Sequence, residues 1–199
     1  MPPAGLDIAV LRGAAILPHL SDLAALRMAV FRDWPYLYEG DAAYERNYVA
    51  TYAASAQAAI VVARDGARIV GASTCLPLTD EAPAMQAAFQ AARYDPASVC
   101  YFGESVLLAA YRGRGAGVAF FAAREAHART IPGVTHAAFC AVIRDAGDPR
   151  RPAGAVGLEP FWRHRGFAPV AGLVCTMRWR EIGGSDAVEN RLQIWMKPL

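Results

Sequence analysis

The sequence predicts a single α/β domain whose mixed sheet is flanked by helices. Three observations carry this. Strand-like apolar runs alternate along the chain with stretches whose apolar residues recur at helical spacing. The chain has 199 residues, 55% hydrophobic and 19% charged, which suits one domain with a proper core. No internal repeat and no linker interrupts it, so residues 1–199 read as one unit.

The elements follow in order. "IAVLRGAAI" (8–16) reads as a strand. "LSDLAALRMAVFRDW" (20–34) reads as a helix, with Leu23, Leu26, Val30 and Phe31 at helical spacing and Pro35 helping to end it. "DAAYERNYVATYAAS" (41–55) reads as a second helix, capped by Asp41, with Tyr44, Tyr48 and Tyr52 along one face. "AAIVVARDGARIVGASTCLP" (58–77) is two strands around a turn at Asp65-Gly66. A short helix is expected within the connection 79–96. "SVCYFGESVLL" (98–108) is nearly all apolar and reads as one central strand. A glycine-rich turn and the helix "VAFFAAREAHAR" come next, then a buried strand over 135–143. Residues 144–157 form a long loop, and long loops are functional or mobile. "EPFWRHRGF" is a short helix with Pro160 in its first turn and Gly166 just past its end. "LVCTMRW" and "QIWMK" close the chain as strands.

Composition excludes several classes of function. A formal net charge of +2 is too small for a nucleic-acid-binding face. The arginines cluster at 112–114, 150–151 and 163–165, which suits a small polyanion better than a duplex. No apolar run approaches 18 residues, so no membrane span is expected. The first residues lack a basic stretch followed by an apolar core, so no secretory signal is expected. Cys75, Cys100, Cys140 and Cys175 are far apart and lie in or beside apolar runs, so they read as buried free thiols in a reducing, cytoplasmic compartment. With no CxxC and no histidine pair at helical spacing, no metal site is expected.

"YRGRGAG" (111–117) carries the chemistry. It places three glycines and two arginines between a strand and a helix start. Glycines let the main chain approach an anion and take positive φ. The first amides of a helix have no intrahelical acceptor, and the helix dipole adds positive potential there. Arg112 and Arg114 can add charge-assisted bonds. The loop is not a P-loop, since no lysine follows the glycines, and it breaks the dinucleotide fingerprint at Val118 or Phe120. It fits Arg/Gln-x-x-Gly-x-Gly/Ala fully, as Arg112-Gly113-Arg114-Gly115-Ala116-Gly117.

With the strand "ESVLL" before it and "FWRHRGF" about 45 residues after it, this loop resembles that of the GNAT superfamily of acetyl-CoA-dependent N-acetyltransferases. The order of elements agrees over about 170 residues. The resemblance implies a mostly antiparallel mixed sheet, with the coenzyme's pyrophosphate on Arg112–Gly117 and its pantetheine along the main chain of Val106, Leu107 and Leu108. It implies that this strand parts from strand 135–143, freeing backbone groups for the pantetheine amides. It also implies direct transfer of the acetyl group to an amine of a small molecule or peptide, and often a homodimer.

Amine acetylation needs a base for the ammonium, a donor for the developing oxyanion, and help for the leaving thiolate. Glu104 is the candidate catalytic base, the only acid in an apolar strand and partly desolvated there. Two readings of Glu104 stay open, base or buried structural carboxylate. Its spacing to Arg112 is even where the family's is often odd, so its face depends on whether a bulge intervenes. The family's proton-donating tyrosine falls on Trp162, whose indole cannot deliver a proton. The acceptor side maps to "FRDWPYLYEGDAAYERNY", where aromatics and Asp33, Glu39, Asp41 and Glu45 would suit a cationic amine. Loop 144–157 could fold over the site, with Arg150 and Arg151 reaching the coenzyme's 3′-phosphate. Two other readings stand beside the enzyme: an inactive acyl-CoA sensor of the same fold, and a domain holding another nucleotide.

Overall fold

The structure, a computed structural model, describes residues 5–199; the first four residues of the expected domain lie outside the described part. The sheet has eight strands and one central parallel contact. In order they are β1 (Asp7–Leu11), β2 (Ala59–Asp65), β3 (Arg68–Pro77), β4 (Val99–Tyr101), β5 (Ser105–Leu107), β6 (His136–Val142), β7 (Ala168–Arg180) and β8 (Ala187–Pro198). They lie side by side as β1-β2-β3-β4-β6-β8-β7, with β5 on β3. Among the described residues only β4 and β6 run parallel; every other pair is antiparallel.

Five α-helices cover the two faces: α1 (Leu20–Phe31), α2 (Ala42–Ala54), α3 (Pro83–Ala91), α4 (Ala116–Ala128) and α5 (Glu159–Arg163). Leu23, Val49, Tyr52 and Phe89 pack on one face with Tyr101 and Val106. Phe121 of α4 packs on the other with Phe102, Phe139, Phe167 and Trp195. Asp41 caps α2 as expected, its Oδ1 accepting from the Tyr44 N–H at 2.8 Å.

Two expectations need correction. The first strand stops at Leu11, opposite Ile60, near the start of its partner β2, and Gly13–His19 is a 3₁₀ helix running into α1. The continuous Gly13–Phe31 stretch is therefore 19 residues long and apolar enough to span a membrane by length and composition. One face of it packs into the fold: Leu23, Leu26 and Phe31 are buried, and Arg27 pairs with acids there.

The second correction concerns 98–108, which is two strands rather than one. Leu76 lies opposite Tyr101, and Ser73 opposite Ser105. Three steps along β3 thus match four along β4–β5, so one residue bulges out. That residue is Gly103, since a Cβ there would run into the Tyr52 hydroxyl and sit 2.7 Å from Thr74 Oγ1. The bulge reverses the alternation of side chains. Phe102 faces α4, whereas Tyr101, Glu104 and Val106 all face α1 and α2. Arg124 of α4, fully buried, holds the bulge from behind: its Nη1 donates to Glu104 O at 3.2 Å and Thr74 O at 3.5 Å. Its guanidinium lies 4.3 Å from the Phe102 ring centroid, and burial lowers its pKa to about 10.

Candidate active site

The bulge opens a notch between β5 and β6. Below it, β4 and β6 pair from Val99–His136 to Tyr101–Ala138, and the Phe102 N–H donates to Ala138 O at 2.7 Å. Above it, β5 pairs with β3 alone. Thr74 N–H donates to Glu104 O, and Leu108 N–H to Val70 O. Residues 104, 106 and 108 therefore turn their main chain to β3, and Ser105 and Leu107 turn theirs to the notch. Of the expected Val106–Leu108 segment, only Leu107 turns its main chain to the notch, with its carbonyl taken by Arg112 Nε, and Ser105 turns the same way.

The glycine loop caps the notch. Gly113 has φ +76° and Gly115 φ +89°, the left-handed region, and Gly115 is the N-cap of the thirteen-residue α4. Ala116 and Gly117 begin the helix with amides that have no intrahelical acceptor. A Cβ on Gly117 would meet the Phe161 ring at 3.2 Å, so α5 packs closely there. Arg112 and Arg114 are exposed; Arg112 Nε donates to Leu107 O at 3.3 Å, and Arg114 Nη2 to Ala110 O at 3.0 Å. Free β-edge amides beside a helix start with two arginines fit a pantetheine arm ending in a pyrophosphate.

Glu104 lies on the α1–α2 face beside the notch. Its Oε2 sits 2.6 Å from Arg27 Nη1 and accepts from the Tyr48 hydroxyl at 3.2 Å. Arg27 Nε also pairs with Glu45, whose side chain is wholly buried. The Arg27 guanidinium stacks 4.1 Å from the Tyr48 ring centroid. Burial works against its charge, but Glu104 and Glu45 outweigh that and hold its pKa well up. Burial, then Glu104, pushes the Tyr48 phenol up, so it stays a neutral donor. Sequence reasoning did not find Arg27; its signal was a lone cation within the apolar run of α1.

The acids expected to attract a cationic acceptor are already engaged. Glu39 pairs with Arg32 at 2.7 Å, Asp33 lies 3.9 Å from Arg112, Asp41 caps α2 and Glu45 holds Arg27. The tyrosine stripe divides: Tyr44 is exposed, Tyr48 half-buried on Glu104, and Tyr52 buried. Loop 144–157 departs from expectation as well. Arg150 bonds Asp148 and Glu181 rather than reaching out. Arg144 is a clamp that sequence reasoning missed: Nε donates to Pro35 O at 2.6 Å, Nη2 to Tyr36 O at 2.9 Å, and Nη1 to Glu181 Oε1 at 2.6 Å. Trp179 Nε1 adds a bond to Tyr36 O at 3.1 Å.

Trp162 stands on the far face, edge-on to Phe139 and Trp195 with centroids 5.1 Å away in each case. It is a packing residue. Cys75, Cys100 and Cys175 are buried; Cys140 is half-buried at the foot of the notch, its Sγ 2.9 Å from the Tyr101 hydroxyl.

The sequence matches no protein-family model and no curated protein sequence. Solved structures do match. A ribosomal-protein-alanine N-acetyltransferase from Brucella melitensis superposes with TM-score 0.62 at 14% identity, over 96% of this chain and 99% of that one. The protein yncA from Salmonella typhimurium, solved with acetyl-CoA, gives 0.61 at 12%, over 98% and 94%. A GCN5-related N-acetyltransferase from Kribbella flavida gives 0.56 at 18%, over 98% of each chain. The chain therefore shares its fold with these solved structures, a GCN5-related N-acetyltransferase among them.

Proposed function

We propose that the protein is an N-acetyltransferase, moving the acetyl group of acetyl-CoA directly to a primary amine of a small molecule or peptide. The observation that carries this is the notch: a strand freed by a bulge, ending on a helix start with glycines at positive φ and two arginines. The like fold of a protein solved with acetyl-CoA supports the choice of coenzyme.

The coenzyme supplies an activated thioester, and the chain's own groups do the rest. Ser105 and Leu107 would bond the pantetheine amides, and the Gly113–Gly117 amides with Arg112 and Arg114 would bind the pyrophosphate. Glu104 lies on the open face of the same bulge. Arg27 and Tyr48 both contact its Oε2, leaving Oε1 as the oxygen that can accept a proton from an incoming ammonium. The α1–α2 segment, held down by Arg144, would bound the acceptor side.

A sensor that binds acyl-CoA without turnover is the second reading, favoured by Trp162, which cannot protonate a thiolate. Thiol release in the presence of an amine panel separates the two: release that depends on amine supports the enzyme, and binding without release supports the sensor. A reducing, cytoplasmic setting accords with four free cysteines, and a homodimer is proposed from the resemblance alone.

A further inference from the structure

Arg124 of α4 carries a buried charge with no acid to balance it. Its exposure is 2%, and no carboxylate among the described residues forms an ion pair with it. Arg27, on the other face, holds two carboxylates. The groups that Arg124 bonds are neutral carbonyls. Nη1 donates to Glu104 O at 3.2 Å and Thr74 O at 3.5 Å, and Nε to Phe120 O at 3.4 Å. Its guanidinium lies 4.3 Å from the Phe102 ring centroid and 4.7 Å from that of Phe121, and Nη2 has no hydrogen-bond partner. Packing alone does not call for this. A buried ion is costly, and an apolar side chain of like volume commonly serves a core as well.

The charge bears on one peptide in particular. Glu104 O accepts from Arg124 and also from the Thr74 N–H at 3.0 Å. The same planar unit carries the Ser105 N–H, which in a trans peptide points the opposite way. With Glu104 O turned to β3, the Ser105 N–H points into the notch, where β5 has no partner strand. Positive charge at a carbonyl oxygen draws electron density from the peptide nitrogen and makes its N–H a stronger donor. This is the cooperative effect of chained hydrogen bonds in a low-dielectric interior. Arg124 thus reaches the notch through the main chain, from the face of the sheet opposite the Glu104 carboxylate.

Resting on the acetyltransferase reading above, we propose that Arg124 is a positioning residue whose unbalanced charge strengthens the Ser105 N–H as a donor to the acetyl thioester oxygen. As the amine nitrogen bonds to the acetyl carbon, that oxygen gains negative charge. As the carbon–sulfur bond breaks, the charge passes to the leaving thiolate, and Glu104 takes the proton lost by the amine. A polarised donor favours the charged oxygen over the neutral one, so Arg124 acts on rate more than on binding. The Ser105 carbonyl remains for a pantetheine amide.

Two variants of the full-length chain test this. Arg124→Met keeps an unbranched side chain and removes the charge; Arg124→Lys keeps the charge without the planar fork. Each is titrated with acetyl-CoA by calorimetry and assayed for thiol release at saturating amine. Infrared difference spectra, taken without amine, then follow acetyl-CoA isotope-labelled at the thioester carbonyl. In Arg124→Met, kcat should fall roughly 3- to 30-fold. Outright loss of a donor costs about 100- to 1,000-fold, and here the N–H stays while its polarisation goes. Acetyl-CoA affinity should stay within about threefold of wild type. The carbonyl stretch, lowered on binding to wild type, should move back up in Arg124→Met, with Arg124→Lys between the two. Wild-type kcat in Arg124→Met overturns the proposal. A loss of rate with the stretch unmoved also overturns it, because Arg124 would then only brace the bulge. A wild-type stretch no lower when bound than when free overturns it without either variant. Wild-type protein that binds no acetyl-CoA overturns the underlying reading as well, so the wild-type titration tells the two failures apart.

Discussion

The two sides of the notch are built from different materials. The proposed coenzyme side is main chain: strand amides, glycines at positive φ, and the first turn of a helix. The proposed acceptor side is held by arginines, with buried Arg27 between Glu45 and Glu104, and half-buried Arg144 on Pro35, Tyr36 and Glu181. Main-chain sites need particular residues only where conformation demands them. Side-chain sites depend on partners brought from distant parts of the chain. Substitutions should therefore separate the two sides, each losing its own function.

The largest effect is expected at Gly115. Gly115→Glu puts bulk and negative charge where the pyrophosphate would lie, and should weaken acetyl-CoA binding at least about 100-fold, or about 2.7 kcal/mol. A side chain at φ +89° costs about 1–2 kcal/mol, so the fold should survive. Calorimetry with parallel melting curves checks both; unchanged affinity would remove the loop from the site.

Arg144→Ala addresses the other side. It strands the Pro35 carbonyl and leaves Tyr36 O to Trp179 and Glu181 to Arg150, at a cost of about 2–4 kcal/mol. The melting midpoint should fall by roughly 5–15 °C, and the 32–41 segment should become sensitive to protease. Acetyl-CoA affinity should change by less than about threefold. A large loss of affinity would mean that the two sides are coupled.

Glu104→Gln tests the residue where the sides meet. Acetyl-CoA affinity should stay within a few-fold while turnover falls, more at low pH, where more of the amine is protonated. Wild-type turnover would make Glu104 a structural partner of Arg27. The smallest effect concerns the loop network. Burial raises the Glu181 carboxyl, but Arg150 and Arg144 outweigh it and hold it below its usual value; Arg150 holds Asp148 at about 2. Both folded-state values are depressed, so their contribution is complete above about pH 4–5, the unfolded range. It is lost as pH falls through the folded values. Protection of 144–157 against hydrogen exchange, taken relative to the intrinsic rate at each pH, should therefore fall below about pH 4, and unchanged protection down to about pH 2 would contradict this.

The contrast between the sides also explains what was legible in the sequence. The glycine loop could be read because Gly113 and Gly115 answer a local need of the backbone, whereas Gly117 answers the distant Phe161. The order of elements along the chain followed from apolar runs and from the resemblance they supported. The break at Gly103 was not readable, because it arises from Tyr52 and Thr74 crowding the position from other elements. Arg27 and Glu104 are far apart in sequence, as are Arg144 and Pro35, so no local pattern announces either pair. Asp33 and Glu45 looked free for the same reason, since their arginine partners are remote in sequence.

The central claim is that the notch and glycine loop hold acetyl-CoA. The most direct measurement is the melting temperature of the full chain with acetyl-CoA, ATP or NAD, each at roughly 100 times a micromolar-range Kd. Binding predicts about 2.7 kcal/mol of added stability with acetyl-CoA, or roughly 5–10 °C, and no shift with the other two. A midpoint unmoved by acetyl-CoA, or moved equally by ATP, would contradict the account.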